Sequence, residues 1–241
     1  MPVRSEVNAP MPWTIFERAA GQYEAWYGTA AGRRADQAER ALLEWLLQRF
    51  PTAGSVLDVG CGTGHFMAWL ATQRLWALGL ERAPAMLAEM RLKWPYLPAV
   101  LGDAHQLPFR SGAVDVVLFV TALEFLEEPA AALAEAVRVA RQGVVVVALN
   151  RWSLGGLSRR WGAQAKRPLL GQARDYSMSE LQTQVRRAAG PRLQAVYWAS
   201  TLLPNGLWRR CVHIALGDVL GLTAVLAAPS AAAAAALGAR T

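Results

Sequence analysis

The run Val56-Leu57-Asp58-Val59-Gly60-Cys61-Gly62-Thr63-Gly64 places an acid and three alternating glycines where an apolar strand gives way to a helix. In open α/β sheets ligands bind outside the carboxyl ends of the strands, and this run marks such an end. Gly60, Gly62 and Gly64 let the backbone turn sharply and approach a ligand with no Cβ in the way. The spacing is GxGxG, not the GxGxxG of dinucleotide-binding folds. Asp58 repels a pyrophosphate and suits a ligand that carries an ammonium and a sulfonium. Two further acids follow apolar runs at similar intervals, Glu81 and Asp103. His105 and Glu124 are the side chains nearby that could take a proton. Cys61 has no base close in sequence and reads as a small loop residue rather than a nucleophile.

These residues need a scaffold to position them. Residues 55–59, 75–80, 99–101, 113–120 and 143–149 read as strands, and 63–72, 84–93 and 129–140 as the helices between them. Apolar runs without polar alternation suit strands buried on both faces, and strand–helix alternation at this spacing implies a parallel sheet. Upstream, Trp13, Phe16, Tyr23, Trp26 and Tyr27 mark a short aromatic helix broken by Gly28 and Gly32. Ala38, Leu42, Trp45 and Leu46 mark an amphipathic helix over 35–50. Beyond Asn150 the expected elements are helices at 152–161, 177–188 and 207–216 and strands at 192–199 and 221–228. Ser177 and Glu180 have capping-box spacing.

Residues 56–64 resemble the first motif of class I S-adenosylmethionine (SAM)-dependent methyltransferases, and the likeness continues in order over residues 35–150. Gly79-Leu-Glu-Arg-Ala-Pro-Ala-Met-Leu87 is similar to the second-strand motif, whose acid, here Glu81, holds the ribose hydroxyls. Gly102-Asp-Ala-His-Gln-Leu-Pro-Phe109 is similar to the third, whose Asp, here Asp103, bonds the adenine amino group. Residues 115–129 resemble the fourth-strand motif of the small-molecule (methyltransferase type 11-like) branch, in which Phe119 matches the carbonyl that receives the methionyl ammonium. The resemblance implies a doubly wound, mostly parallel sheet with helices on both faces and an antiparallel last strand. It implies SAM as cofactor, held by Asp58, Gly60, Cys61, Gly62, Gly64, Glu81, Arg82, Met86, Asp103, Ala104, Phe119 and Tyr23. Tyr27, Glu124, Asn150 and Trp152 are the expected acceptor contacts, with Glu124 and His105 the candidates for proton removal. One domain over 1–229 is expected, with a lid at 1–34, a cap segment at 151–176 and an Ala-rich tail at 230–241.

Composition narrows the partners. The chain of 241 residues carries a formal charge of +7, almost all of the basic excess being arginine, since only Lys93 and Lys166 are lysines. The arginines are scattered in pairs such as Arg159/Arg160 and Arg186/Arg187, which reads as biased composition rather than a nucleic-acid patch. Two cysteines and three scattered histidines give neither a disulfide framework nor metal-ligand spacing, so no metal is expected. The apolar stretch 211–238 is interrupted by Asp218 and Pro229 and reads as a last strand plus the tail rather than a membrane span. With no apolar leader near the start, a cytoplasmic protein is expected, with peripheral membrane contact left open. The acceptor expected is a small, apolar or quinone-like molecule. The rivals are a non-catalytic SAM-binding partner subunit, a nucleic-acid methyltransferase and, disfavoured by Asp58 and the glycine spacing, a nucleotide-dependent oxidoreductase.

Overall fold

The computed structural model describes residues 13–161, 173–203 and 210–228. Its strands are β1 (Ser55–Val59), β2 (Trp76–Glu81), β3 (Ala99–Leu101), β4 (Val114–Val120), β5 (Ala140–Leu149), β6 (Leu193–Thr201) and β7 (Val219–Leu226). They form one sheet in the order β3-β2-β1-β4-β5-β7-β6. Every neighbouring pair is parallel except those of β7, which runs antiparallel to both β5 and β6. From β1 the chain steps outward to β3, then returns to place β4 on the other side of β1. The crevice where ligands bind in such sheets therefore opens above β1 and β4.

The helices are α1 (Thr14–Tyr27), α2 (Ala30–Leu47), α3 (His65–Thr72), α4 (Pro84–Lys93), α5 (Pro129–Val139), α6 (Leu154–Trp161) and α7 (Met178–Ala189). The period of two along β5 divides the core. Val144 and Val146 join one apolar cluster with α5 and α7, and Val145 and Val147 the other with α2, α3 and α4. All four valines are fully buried. Each stabilises the sheet by roughly 1.5–3 kcal/mol relative to exposure, which is why a run with no polar residue belongs in a central strand. The Ser177–Glu180 capping box closes at the start of α7 as expected.

Three expectations are corrected. The helix expected from residue 35 begins at Ala30, because Thr29 caps it by accepting the Gly32 N–H at 2.9 Å. Gly32 does not break it. A Cβ there would lie 2.0 Å from the Trp26 carbonyl oxygen, so glycine is what lets α1 and α2 meet. The helix expected over 207–216 is absent from its described part. Val212 exchanges backbone bonds with Ser200 instead, in an isolated antiparallel bridge. Trp76 starts β2 and is 55% exposed. The expected tail and residues 1–12 lie outside the described residues, as does the cap segment from 162 to 172. No helix among the described residues is long and apolar enough to cross a membrane.

Candidate functional site

The glycine loop leaves β1 in left-handed geometry, with φ of 77°, 54° and 78° at Gly60, Gly62 and Gly64. A Cβ on Gly60 would come within 2.6 Å of the Ala122 side chain, whereas Gly62 faces open space. The Gly60 and Cys61 N–H groups both donate to the Leu80 carbonyl, at 2.7 and 3.1 Å, which ties the loop to the end of β2. Glu81 completes that tie. Its Oε2 accepts the Gly62 N–H at 2.9 Å, and its Oε1 accepts those of Arg82 and Ala83 at 2.8 Å each. Burial raises the Glu81 pKa, and these three N–H groups counter that rise.

Beneath the loop Asp58 is 2% exposed, and its Oδ1 has no hydrogen-bond partner among the described residues. Burial and then the Glu81 charge push its pKa up to about 7. A buried acceptor without a donor is costly in a ligand-free site and implies one that a ligand supplies.

On the far side, Asp103 follows β3 and accepts two bonds from His105, the backbone N–H at 2.9 Å and the ring Nδ1 at 2.5 Å. The Arg82 guanidinium lies 3.2 Å from Glu127, 3.7 Å from Asp103 and 5.1 Å from the centre of the Trp13 ring. The roof is α1. Ala20 packs on Ala83 and Met86, and Phe16 meets Phe125 edge-on at 4.8 Å. Glu24 fastens the helix by bonding Thr63 and Lys93. Burial opposes its charge, but hydrogen bonds from His65, Lys93 and Thr63 win and hold its pKa at about 2.

Eight of the expected cofactor contacts line one cleft: Gly60, Gly62, Glu81, Arg82, Met86, Asp103, Ala104 and Tyr23. Asp58, Cys61, Gly64 and Phe119 stand behind its wall. Cys61 is buried against Gly79, and Gly64 serves as the left-handed cap of α3. Phe119 is fully buried and paired with Val146, and the next residues of the chain, Val120, Thr121 and Ala122, line the cleft. Thr121 holds a φ of 49°, a strained value for a side-chain-bearing residue and of the kind that clusters at ligand sites.

The expected acceptor residues fare less well. Asn150 is fully buried and donates to the Ala215 and Gly217 carbonyls while accepting the Trp152 N–H, so it joins β5 to the turn before β7. Trp152 is 59% exposed and away from the cleft. Tyr27 stacks on His65 at 3.6 Å. Both ring nitrogens of His105 have partners. Its Nε2 accepts the Glu128 N–H while Nδ1 bonds Asp103, so both ring nitrogens serve to hold Asp103 in place. Glu124 is no surface acid: it is 2% exposed and accepts the Leu149 N–H at 2.7 Å. Phe125, Leu126 and Glu127 line the cleft without having been anticipated. Their only signal was a place just after the fourth strand.

The site fits SAM on its own geometry. Asp58 offers a buried acceptor to a donor, the glycine loop offers backbone with no Cβ, and Glu81 still has lone pairs beyond its three N–H bonds. Comparison with known proteins agrees. A methyltransferase domain family matches residues 57–148. Malonyl-[acyl-carrier protein] O-methyltransferase of Serratia marcescens is 33% identical over 157 residues, covering 64% of this chain and 59% of that one. An uncharacterized methyltransferase of Mycobacterium tuberculosis is 34% identical over 128 residues, covering 53% of this chain and 48% of that one. The chain thus matches about half to three-fifths of these relatives' lengths. A SAM-dependent methyltransferase of Thermotoga maritima superposes with TM-score 0.73 at 24% identity, covering 88% of this chain and 99% of that one. The SAH-bound magnesium protoporphyrin IX methyltransferase of Synechocystis superposes with TM-score 0.62 at 15% identity, covering 88% and 98%.

Proposed function

The chain carries a class I SAM-dependent methyltransferase domain, and from that premise we propose that it transfers a methyl group to a small, largely apolar acceptor. The observation that carries the reading is the composition of this cleft. One half is polar, with the glycine loop, Glu81 and Asp103; the other is apolar, with Phe16, Val120, Phe125 and Leu126. The polar half suits a nucleoside and amino-acid donor, and the apolar half suits the body of a second small molecule.

Bound SAM would supply a methyl group already activated by the positive charge on its sulfur. The work left to the protein is alignment and exclusion of water. Asp58 and the loop would hold the amino-acid end, and Glu81 and Asp103 the adenosine end. Trp13, Phe16 and Tyr23 would roof the reacting centre as a lid. Part of the arginine content serves the fold rather than a charged surface. Arg138 bonds the Leu107 and Phe109 carbonyls, and Arg192 those of Val137, Ala140 and Ala227. Titration calorimetry with SAM, S-adenosylhomocysteine and NAD tests the donor, and a turnover screen over amines, phenols, quinones and thiols tests the acceptor. NAD binding as tight as SAM binding would overturn the reading.

A further inference from the structure

The carboxyl edge of the sheet carries a surface that the cleft does not use. Asn150, fully buried just past the end of β5, joins two segments there. Its side-chain amide donates to the Ala215 and Gly217 carbonyls at 3.0 and 2.8 Å, and its Oδ1 accepts the Trp152 N–H at 3.0 Å. A second tie lies alongside: the Gly155 N–H donates to Asp218 Oδ1 at 2.9 Å. The start of α6 and the turn before β7 are thereby held together on a buried base.

From these two segments large apolar side chains stand out into solvent. Trp152 is 59% exposed and Leu154 71% on the first, and Ile214 is 57% and Leu216 58% on the second. A lone exposed leucine means little, but four large apolar residues gathered on joined segments mark a contact surface. None of the four lines the cleft. They share its edge of the sheet all the same. Because β7 runs antiparallel to β5, its first residue, Val219, pairs with Leu149, the last of β5. Both segments therefore sit at the carboxyl edge, over β5 and β7, and the cleft opens at that edge over β1 and β4, with β4 the neighbour of β5.

Charge selects the partner. Residues 151–161 and 210–218 contain four arginines, Arg151, Arg159, Arg160 and Arg210, and one acid, Asp218. Asp218 is bonded to the Gly155 N–H, and even with Glu180, which pairs with Arg151 at 2.9 Å, the balance stays positive. Arg210 is exposed. A second copy of the chain would bring the same arginines face to face, and like charge opposes that contact. A nucleic acid would meet the arginines but leave Leu154, Ile214 and Leu216 against phosphate and water. An anionic bilayer supplies both partners: headgroup phosphates for arginine, hydrocarbon just beneath for leucine and isoleucine, and a boundary that suits tryptophan. The contact is peripheral, as no helix among the described residues is long and apolar enough to cross a membrane.

We propose that Trp152, Leu154, Ile214 and Leu216 seat this protein on an anionic lipid bilayer. The docking itself is independent of the reaction. Its consequence, that a largely apolar acceptor reaches the cleft from the membrane rather than from water, rests on the methyl-transfer reading.

The test mixes the full chain with vesicles of phosphatidylcholine alone, or of phosphatidylcholine and phosphatidylglycerol in equal parts, and reads binding by cosedimentation. The mixed vesicles are expected to bind about tenfold or more tighter than the neutral ones, and added salt should weaken them. Leu154→Ser/Leu216→Ser should weaken binding to mixed vesicles by about tenfold or more, while S-adenosylhomocysteine affinity stays within about twofold. In the wild-type chain, amide hydrogen exchange over 150–155 and 212–217 should slow when mixed vesicles are added; this measurement decides should the variant fail to fold. Mixed vesicles that do not bind, binding that the serines leave unchanged, or protection confined to other segments overturns the proposal. Dimers in sedimentation that the serine variant dissolves would give this face to a second copy, and duplex DNA bound more tightly than mixed vesicles would give it to a nucleic acid; either result overturns the bilayer. Absent S-adenosylhomocysteine binding defeats the methyl-transfer reading instead, and the vesicles still judge the docking.

Discussion

Removing the Glu81 carboxylate should unsettle the ligand-free protein, not only its affinity for SAM. Three backbone N–H groups end on it: Gly62 on Oε2, Arg82 and Ala83 on Oε1. Hydrogen bonds to charged groups contribute about 1.5–3 kcal/mol each, but water refills part of the cleft and the cost of burying the charge is recovered. A net loss of about 3 kcal/mol is expected for Glu81→Ala, or roughly 6–12 °C in Tm for a chain of this size. Glu81→Gln separates the two roles. Its remaining oxygen serves Arg82 and Ala83, but its amide opposes the Gly62 N–H, donor to donor. That variant should lose about 1–2 kcal/mol of stability and roughly 10- to 100-fold in SAM affinity through a displaced loop. Urea unfolding of the ligand-free variants gives the first quantity and calorimetry with S-adenosylhomocysteine the second. A Glu81→Ala chain as stable as wild type, with only affinity lost, would show that the three bonds contribute nothing and that Glu81 is held solely for the ligand.

Other outcomes follow from the same structure. Asp58 is protonated more readily folded than unfolded, because burial and Glu81 raise its pKa to about 7. Its contribution is present at acid pH and lost as pH rises from about 4 through 7, so Asp58→Asn should flatten that part of the ligand-free stability profile in thermal melts. Asp115 accepts the Gly54 and Ser55 N–H groups and the Arg141 Nε at the opposite end of β4. Although burial opposes its charge, Arg141 and these donors hold its pKa well below the usual carboxylate range. That stabilisation is present above about pH 4 and fades below it, and Asp115→Ala should cost about 2–3 kcal/mol in urea unfolding with SAM affinity intact. Deleting residues 1–28 strips Phe16 from Phe125 and Ala20 from Met86. Turnover should vanish while circular dichroism still shows the folded sheet; a truncated chain that methylates at the wild-type rate would exclude the lid.

The sheet and the donor half of the cleft were legible because both are written locally. Val144 to Val147 need only a period of two, and Gly60, Gly62 and Asp58 lie within one turn of each other. Boundaries went astray where a distant contact decides them. Gly32 looks like a helix breaker until the Trp26 carbonyl is seen to occupy the space a side chain would fill. Glu81 was placed correctly in the cleft, yet its three backbone partners could not be read, since one of them is nineteen positions away. The partners of Asn150, the Ala215 and Gly217 carbonyls, were illegible for the same reason, lying more than sixty positions away. Buried Glu39 did leave a trace: an acid at a position that Ala35, Leu42 and Leu46 mark as the buried stripe of a helix.

Buried acids likewise bear on how the donor end of the site works. Asp58 and Glu81 are both buried at the donor end of the cleft, in a chain whose formal charge is +7, and the Glu81 charge raises the pKa of Asp58. The basic side chains near the site are turned to other duties, Arg82 to Glu127 and Lys93 to Glu24. Burying like charges side by side destabilises the ligand-free fold at the pH where the acids ionise. Cationic ligands reverse this: each that enters restores a carboxylate to its ordinary acidity and releases the proton it held. Binding and stability are thereby coupled through the same acids. The rise in Tm on saturation with SAM should therefore be larger at pH 8 than at pH 5.5, and Asp58→Asn should shrink the difference. A pH-independent rise would mean that the ligand's charges are met elsewhere, and that the buried acids answer to the fold alone.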